Sequence, residues 1–279
     1  MHFALISFLN ARPLWWGLVH GNRSADDTFE LTSPARCADL IADGAADLGL
    51  IPAIELERLS DIVAIPSICI ASETEVRSVL MVSKVPFEEI RSVGLDPGSR
   101  TSLALARILL GERLGAGVYQ RIKFDSIERP ALLKLEGHDA AVVIGDPALQ
   151  MSKSGSPGTF RYDLASEWYR MFGEPFVFGL WAGRRSALER VDGRELLDRL
   201  VASRAYGLSH LDRIAREASE ELGLPLGELI EYFGSALHYD FGEREARALA
   251  RFYSLARKYS LIEGQKEIEW LIDPRFTPS

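Results

Sequence analysis

Phe3-Ala4-Leu5-Ile6-Ser7, Phe29-Glu30-Leu31-Thr32 and Asp47-Leu48-Gly49-Leu50-Ile51-Pro52 are three short apolar runs bounded by turn chemistry. Each reads as a strand. Between them lie two helical stretches. Leu14-Trp15-Trp16-Gly17-Leu18 follows the break at Asn10-Ala11-Arg12-Pro13. Ser33-Pro34 offers an N-cap and a first-turn proline ahead of Arg36 to Ala42, and Gly44 ends that helix. Strand, helix, strand, helix, strand in this order predicts parallel βαβ units.

Downstream, Ile62–Ala71 and Val76–Val82 read as further strands, and Lys84-Val85-Pro86 as a crossover into a second lobe. The alternation restarts there. Ser92-Val93-Gly94-Leu95 is a strand, Asp96-Pro97-Gly98-Ser99 a turn, and Thr101–Arg113 a helix. Lys123-Phe124 precedes a helix from Pro130 through Leu132, Leu133 and Leu135. Asp139–Ile144 is a buried strand ending at Gly145-Asp146-Pro147, and Ser152–Gly158 an exposed polar loop. Phe176–Ala182 is a strand that carries the chain back to the first lobe. Everything beyond it reads helical, as in 194–204, 208–222 and 243–259. The expected division is 1–83 plus 179–279 for a discontinuous first lobe and 84–178 for the second. The expected class is α/β, two-lobed, with a ligand cleft between the lobes.

The 279 residues, 47% hydrophobic and 26% charged, suit a soluble globular chain of this size. Lys and Arg number 32 against 40 Asp and Glu, a net charge of −8. That balance argues against nucleic-acid and anionic-membrane partners, which need clustered cations. It leaves room for a small anion held by a few local donors. Cys37 and Cys69 lack metal-site spacing, and His2, His20, His138, His210 and His238 form no ligand pair. No metal and no cofactor is expected. With no cationic leader and no long apolar span, the expected location is cytoplasmic.

Ligands in parallel α/β sheets sit beyond the carboxyl ends of the strands. Four such ends stand out: Ser7–Asn10, Ile51-Pro52, Asp96–Ser102 and Gly145-Asp146. Ser99-Arg100-Thr101-Ser102 combines three hydroxyls, a guanidinium and helix-start N–H groups, a carboxylate or phosphate site; simple capping is the alternative. No Gly-Lys-Ser/Thr follows, so ATP is not indicated. Asn10 is either a substrate-orienting amide or an Asx turn, and Arg12 a nearby cation or a surface residue. Asp146 is either a general base or a helix cap. The Phe176–Trp181 run is core or a stacking wall.

Five segments in register resemble a known family: Ser7-Phe8-Leu9-Asn10-Ala11-Arg12-Pro13-Leu14, Asp47–Pro52, Gly98-Ser99-Arg100-Thr101-Ser102, Val143-Ile144-Gly145-Asp146-Pro147-Ala148-Leu149 and Gly173-Glu174-Pro175-Phe176-Val177-Phe178. They resemble the menaquinone biosynthesis proteins of the futalosine pathway, on the chorismate-dehydrating branch. One departure is Phe172 before Gly173, where the family usually carries Thr. The resemblance implies a type 2 periplasmic-binding-protein-like fold used by an enzyme. The implied activity is that of a hydro-lyase converting chorismate to 3-[(1-carboxyvinyl)oxy]benzoate, with chorismate as the small-molecule partner and a monomer or homodimer as the assembly. The catalytic residues it implies are Asn10, Ser102 and Asp146. Substrate contacts fall to Ser7, Arg12, Ile51, Pro52, Ser99, Arg100, Thr101 and Gly145. With no His in these motifs, the base is the substrate's enolpyruvyl carboxylate or Asp146. The competing class is a non-catalytic solute-binding protein for a small aromatic or dicarboxylate anion.

Overall fold

The computed structural model describes residues 1–21, 24–127, 134–153 and 158–271. The opening strands form where expected: β1 (His2–Ile6), β2 (Thr28–Thr32) and β3 (Leu48–Pro52). β1 runs parallel to both neighbours, as βαβ connections require. The intervening helices are Arg12–His20 and Pro34–Ala42. The second is capped as its sequence predicts, with the Ser33 hydroxyl accepting the Arg36 N–H.

β4 (Ile62–Ser72) and β10 (Phe176–Arg184) are antiparallel to each other, and β10 also pairs antiparallel with β3. β10 is the return strand, buried along nearly its whole length. With β11 (His238–Asp240) on the far edge, the first sheet has the order β11-β4-β10-β3-β1-β2. The second sheet has the order β7-β6-β8-β5-β9, made of β5 (Val79–Ser83), β6 (Ser92–Leu95), β7 (Lys123–Ser126), β8 (Ala140–Ile144) and β9 (Phe160–Asp163).

Three differences from the sequence reading have plain causes. The chain crosses between sheets in 73–78 rather than at 84–86, because β5 pairs with β8 and β9. It returns ahead of β10, so Phe176–Phe178 belong to the first sheet. The C-terminal part is not wholly helical either. β11 pairs with β4, and Trp270 bridges to Ala64. Short edge strands such as β9 and β11 lack the periodicity that marks longer ones. The helix expected from Pro130 lies largely outside the described residues, as does most of the Ser152–Gly158 loop.

The helices Arg12–His20 and Gly193–Ser209 pack closely against each other. Ser203 ties them, donating to the Leu14 carbonyl at 2.8 Å and accepting the Leu18 N–H at 3.0 Å. A Cβ on Gly207 would stand 2.0 Å from the Pro13 carbonyl oxygen, so this approach requires glycine. Among the described residues no helix is long and apolar enough to cross a membrane. Cys37 and Cys69 are free and buried, and burial pushes the Cys37 thiol up to about 12.

Candidate active site

The carboxyl ends of β1, β3, β6 and β8 converge on one cleft between the sheets. Its walls are Ile6, Phe8, Pro34, Pro52, Ile70, Val79, Ile144 and Phe178, with Gly145 and Gly179 as backbone surface. Its polar side chains are Asn10, Ser99, Thr101 and Ser102. Together these walls bound a slot of about 430 Å³, part of it open to solvent.

Asn10 stands on a single 3-10 turn, Leu9–Ala11, directly after β1. Its Oδ1 is buried without a hydrogen-bond partner, a costly state unless a ligand supplies the donor. Across the slot, Asp96 accepts the Gly98 N–H at 2.8 Å in an Asx turn that Pro97 pre-forms. That turn launches the helix Arg100–Leu114 at the cleft. Ser99 occupies the cap position with no side-chain cap bond, so capping does not account for it. Ser99, Thr101 and Ser102 line one space beside the first turn of this helix. The helix dipole favours a negative group there. Thr101 Oγ1 also accepts the Ile54 N–H at 3.2 Å, which leaves its own hydrogen to donate.

Of the expected site residues, Asn10, Pro52, Ser99, Thr101, Ser102 and Gly145 line the cleft; Ser7, Arg12, Ile51, Arg100 and Asp146 do not. Arg12 turns away because both its Nη atoms engage Glu221. Arg100 is drawn sideways to Asp39, at 2.7 Å, and to the buried Glu55, at 3.3 Å. Ser7 gives its N–H to the Thr32 carbonyl, and Ile51 is fully buried in β3. Asp146 faces Leu9, accepting its N–H at 3.0 Å. Of the apolar walls, Phe178 belongs to the run read as core or a stacking wall and Phe8 to the Ser7–Asn10 strand end, whereas Ile70 and Val79 were not singled out. A cleft wall and a core residue carry the same apolar signal, and only the strand ends marked the place.

Several contacts join the lobes across the slot. Besides Asp146 to Leu9, Thr101 to Ile54 and Arg100 to Asp39 and Glu55, the Ala35 N–H donates to the Gly98 carbonyl at 3.3 Å. Gly145, at φ +67°, lies so close to Phe8 that a Cβ would meet the ring at 2.7 Å. At the hinge, the Asp163 carboxylate accepts N–H groups from Val76 and Arg77 of the crossing segment and from Ala165 and Ser166 of the helix Leu164–Phe172 that it caps. Burial pushes its carboxyl up to about 6, against the N–H groups of Ser166, Val76 and Arg77. The cleft lining itself has no titratable side chain, and no cluster among the described residues could hold a metal ion.

Solved structures with this fold include protein AF1704 from Archaeoglobus fulgidus, with TM-score 0.72 and 14% identity, covering 94% of this chain and 98% of that one. The periplasmic aliphatic sulphonate binding protein SsuA from Escherichia coli matches at TM-score 0.67 and 13% identity, covering 100% and 92%. Both establish a two-lobed fold like that of periplasmic binding proteins. In sequence, the chain is 26% identical over 235 residues to chorismate dehydratase from Thermus thermophilus, covering 78% of this chain and 83% of that protein. A model of the menaquinone biosynthesis family matches residues 1–258. With that match along nearly the whole length, the chain belongs to the menaquinone biosynthesis family.

Proposed function

We propose that this protein is a chorismate dehydratase, a hydro-lyase that removes water from chorismate to give 3-[(1-carboxyvinyl)oxy]benzoate. The observation that carries the reading is the cleft's donor set: neutral hydroxyls and a helix N-terminus on one side, a buried unpartnered amide oxygen on the other, and apolar walls between. A flat, partly unsaturated ring with a carboxylate at one edge and a hydroxyl at another fits that pattern. Membership of a menaquinone biosynthesis family and the similarity to the Thermus thermophilus enzyme agree with it.

In this reading the ring carboxylate binds at the Ser99–Ser102 turn. Hydroxyl and N–H donors there stabilise negative charge as it spreads into the carboxylate during the reaction. The hydrogen on the ether-bearing ring carbon is vinylogous to that carboxylate. Its removal leaves the C–H electron pair delocalised through the ring, and the neighbouring C–O bond then breaks to complete the aromatic system. Asn10 holds and orients the leaving hydroxyl through its amide. Because the lining offers no titratable group, the proton goes to the substrate's own enolpyruvyl carboxylate. The departing hydroxide takes it up to leave as water, so atoms and charge balance. Among the described residues, the lining places no Lys or Arg side chain where it would lower that carboxylate's basicity.

The test is turnover of chorismate by the purified protein beside Asn10→Ala and Ser102→Ala. Formation of the benzoate product by the parent, with kcat lost in Asn10→Ala and KM raised in Ser102→Ala, supports the assignment. Chorismate binding without conversion by the parent overturns it in favour of a solute-binding protein.

A further inference from the structure

We propose that Asp146 is a positioning residue, acting on Asn10 through the Leu9 amide, and that it does so only when the lobes are closed. This rests on the chorismate-dehydrating reading of the cleft. Leu9 opens the 3-10 turn that carries Asn10, and the first N–H groups of such a turn have no partner within it. Phe8, in the cap position, makes no side-chain cap bond. The Leu9 N–H is satisfied instead from the opposite lobe, by Asp146 Oδ1 at 3.0 Å across 137 residues of sequence. A carboxylate in that place also favours the positive end of the turn.

The neighbouring contacts fix the register of this docking. Gly145 brings bare backbone against the Phe8 ring, and its N–H donates to the Ser78 carbonyl at 2.8 Å. Ser78 is in turn held by the buried Tyr232, whose hydroxyl donates to the Ser78 hydroxyl at 2.8 Å. Gly145-Asp146 therefore seats on Phe8-Leu9 as a unit, anchored at the crossing segment. When the lobes part, Leu9 loses its acceptor and the turn bearing Asn10 loses its cap. Closure thus sets the amide that handles the leaving hydroxyl, which ties the reacting geometry to exclusion of water.

Asp146→Asn keeps a carbonyl acceptor for the Leu9 N–H but removes any capacity to act as a base. Asp146→Ala removes both. Asp146→Ser retains a polar helix-start side chain too short to reach Leu9, and stands in should the alanine variant fail to fold. Chorismate turnover and amide hydrogen exchange at Leu9 are measured on all of them. The expected result is kcat within about threefold of the parent for Asp146→Asn, with Leu9 still protected. For Asp146→Ala or Asp146→Ser, kcat falls about 10- to 100-fold, KM changes little, and Leu9 exchanges freely. Equal inactivity of the asparagine and alanine variants with Leu9 protected overturns the proposal and makes Asp146 a base. Full activity of the alanine variant also overturns it. A parent protein that leaves chorismate unchanged refutes the functional reading alone, because the exchange measurement still decides whether Asp146 holds the turn.

Discussion

Gly145→Ala perturbs a point where backbone of the second lobe touches a ring of the first. Two costs arise, and they separate by conformation. Alanine at φ +67° costs roughly 1–2 kcal/mol whether the cleft is open or closed. The new Cβ, 2.7 Å from the Phe8 ring, adds overpacking of about 1–3 kcal/mol, but only in the closed state. The first cost lowers the melting temperature by a few degrees. The second lowers the ratio of closed to open molecules about 5- to 150-fold. Turnover of chorismate should therefore fall far more than stability does. A double-mutant cycle with Phe8→Ala checks the cause, because without the ring the added methyl has room. The expected cycle shows a smaller penalty for Gly145→Ala in the Phe8→Ala background. Gly145→Ala with unchanged turnover and melting, or an undiminished penalty without the ring, would refute the reasoning.

Other expectations follow from contacts already described. Arg100→Ala leaves the buried Glu55 with Arg58 alone and removes the link to Asp39; closure weakens by roughly 1–3 kcal/mol, read as a larger radius of gyration by small-angle scattering and a raised KM. Gly207→Ala drives a methyl into the Pro13 carbonyl and costs about 3 kcal/mol or more, lowering Tm by about 6–12 °C in thermal unfolding. Asp163 has a folded pKa raised from 3.8 to about 6, so between those values the folded protein binds more protons than the unfolded chain. Its contribution is greatest below the lower value and is lost as pH rises through the upper, about 3 kcal/mol in all. Urea unfolding at several pH values should show that loss in the parent and a flatter profile in Asp163→Asn.

Much of the fold was legible because its first third is a repeated strand-helix unit with recognisable ends. Ser33-Pro34 marked a helix start, and the apolar runs of β1 and β3 needed burial on both faces. The place of β5 was not legible. Its residues are apolar on both faces, which says that the strand is buried but not in which sheet. Asn10, Ser99, Thr101 and Ser102 could be found because polar residues at strand ends are conspicuous among apolar ones. Arg12, Arg100 and Asp146 stand outside the cleft lining for one shared reason. Each is a charged residue at a strand end, but its partner comes from a distant part of the chain. Glu221 lies 209 residues from Arg12, and Leu9 lies 137 residues from Asp146. Only the fold reveals those partners, across the lobes for Arg100 and Asp146 and within the first lobe for Arg12.

The central claim is that this cleft removes the hydrogen from the ether-bearing ring carbon and expels the adjacent hydroxyl. Chorismate carrying deuterium at that carbon tests it most directly, with the product analysed by mass spectrometry. The expected result is repeated turnover to 3-[(1-carboxyvinyl)oxy]benzoate free of the label, lighter than the substrate by one labelled water. Chorismate recovered intact from its complex with the protein, or a product that keeps the deuterium, would contradict it.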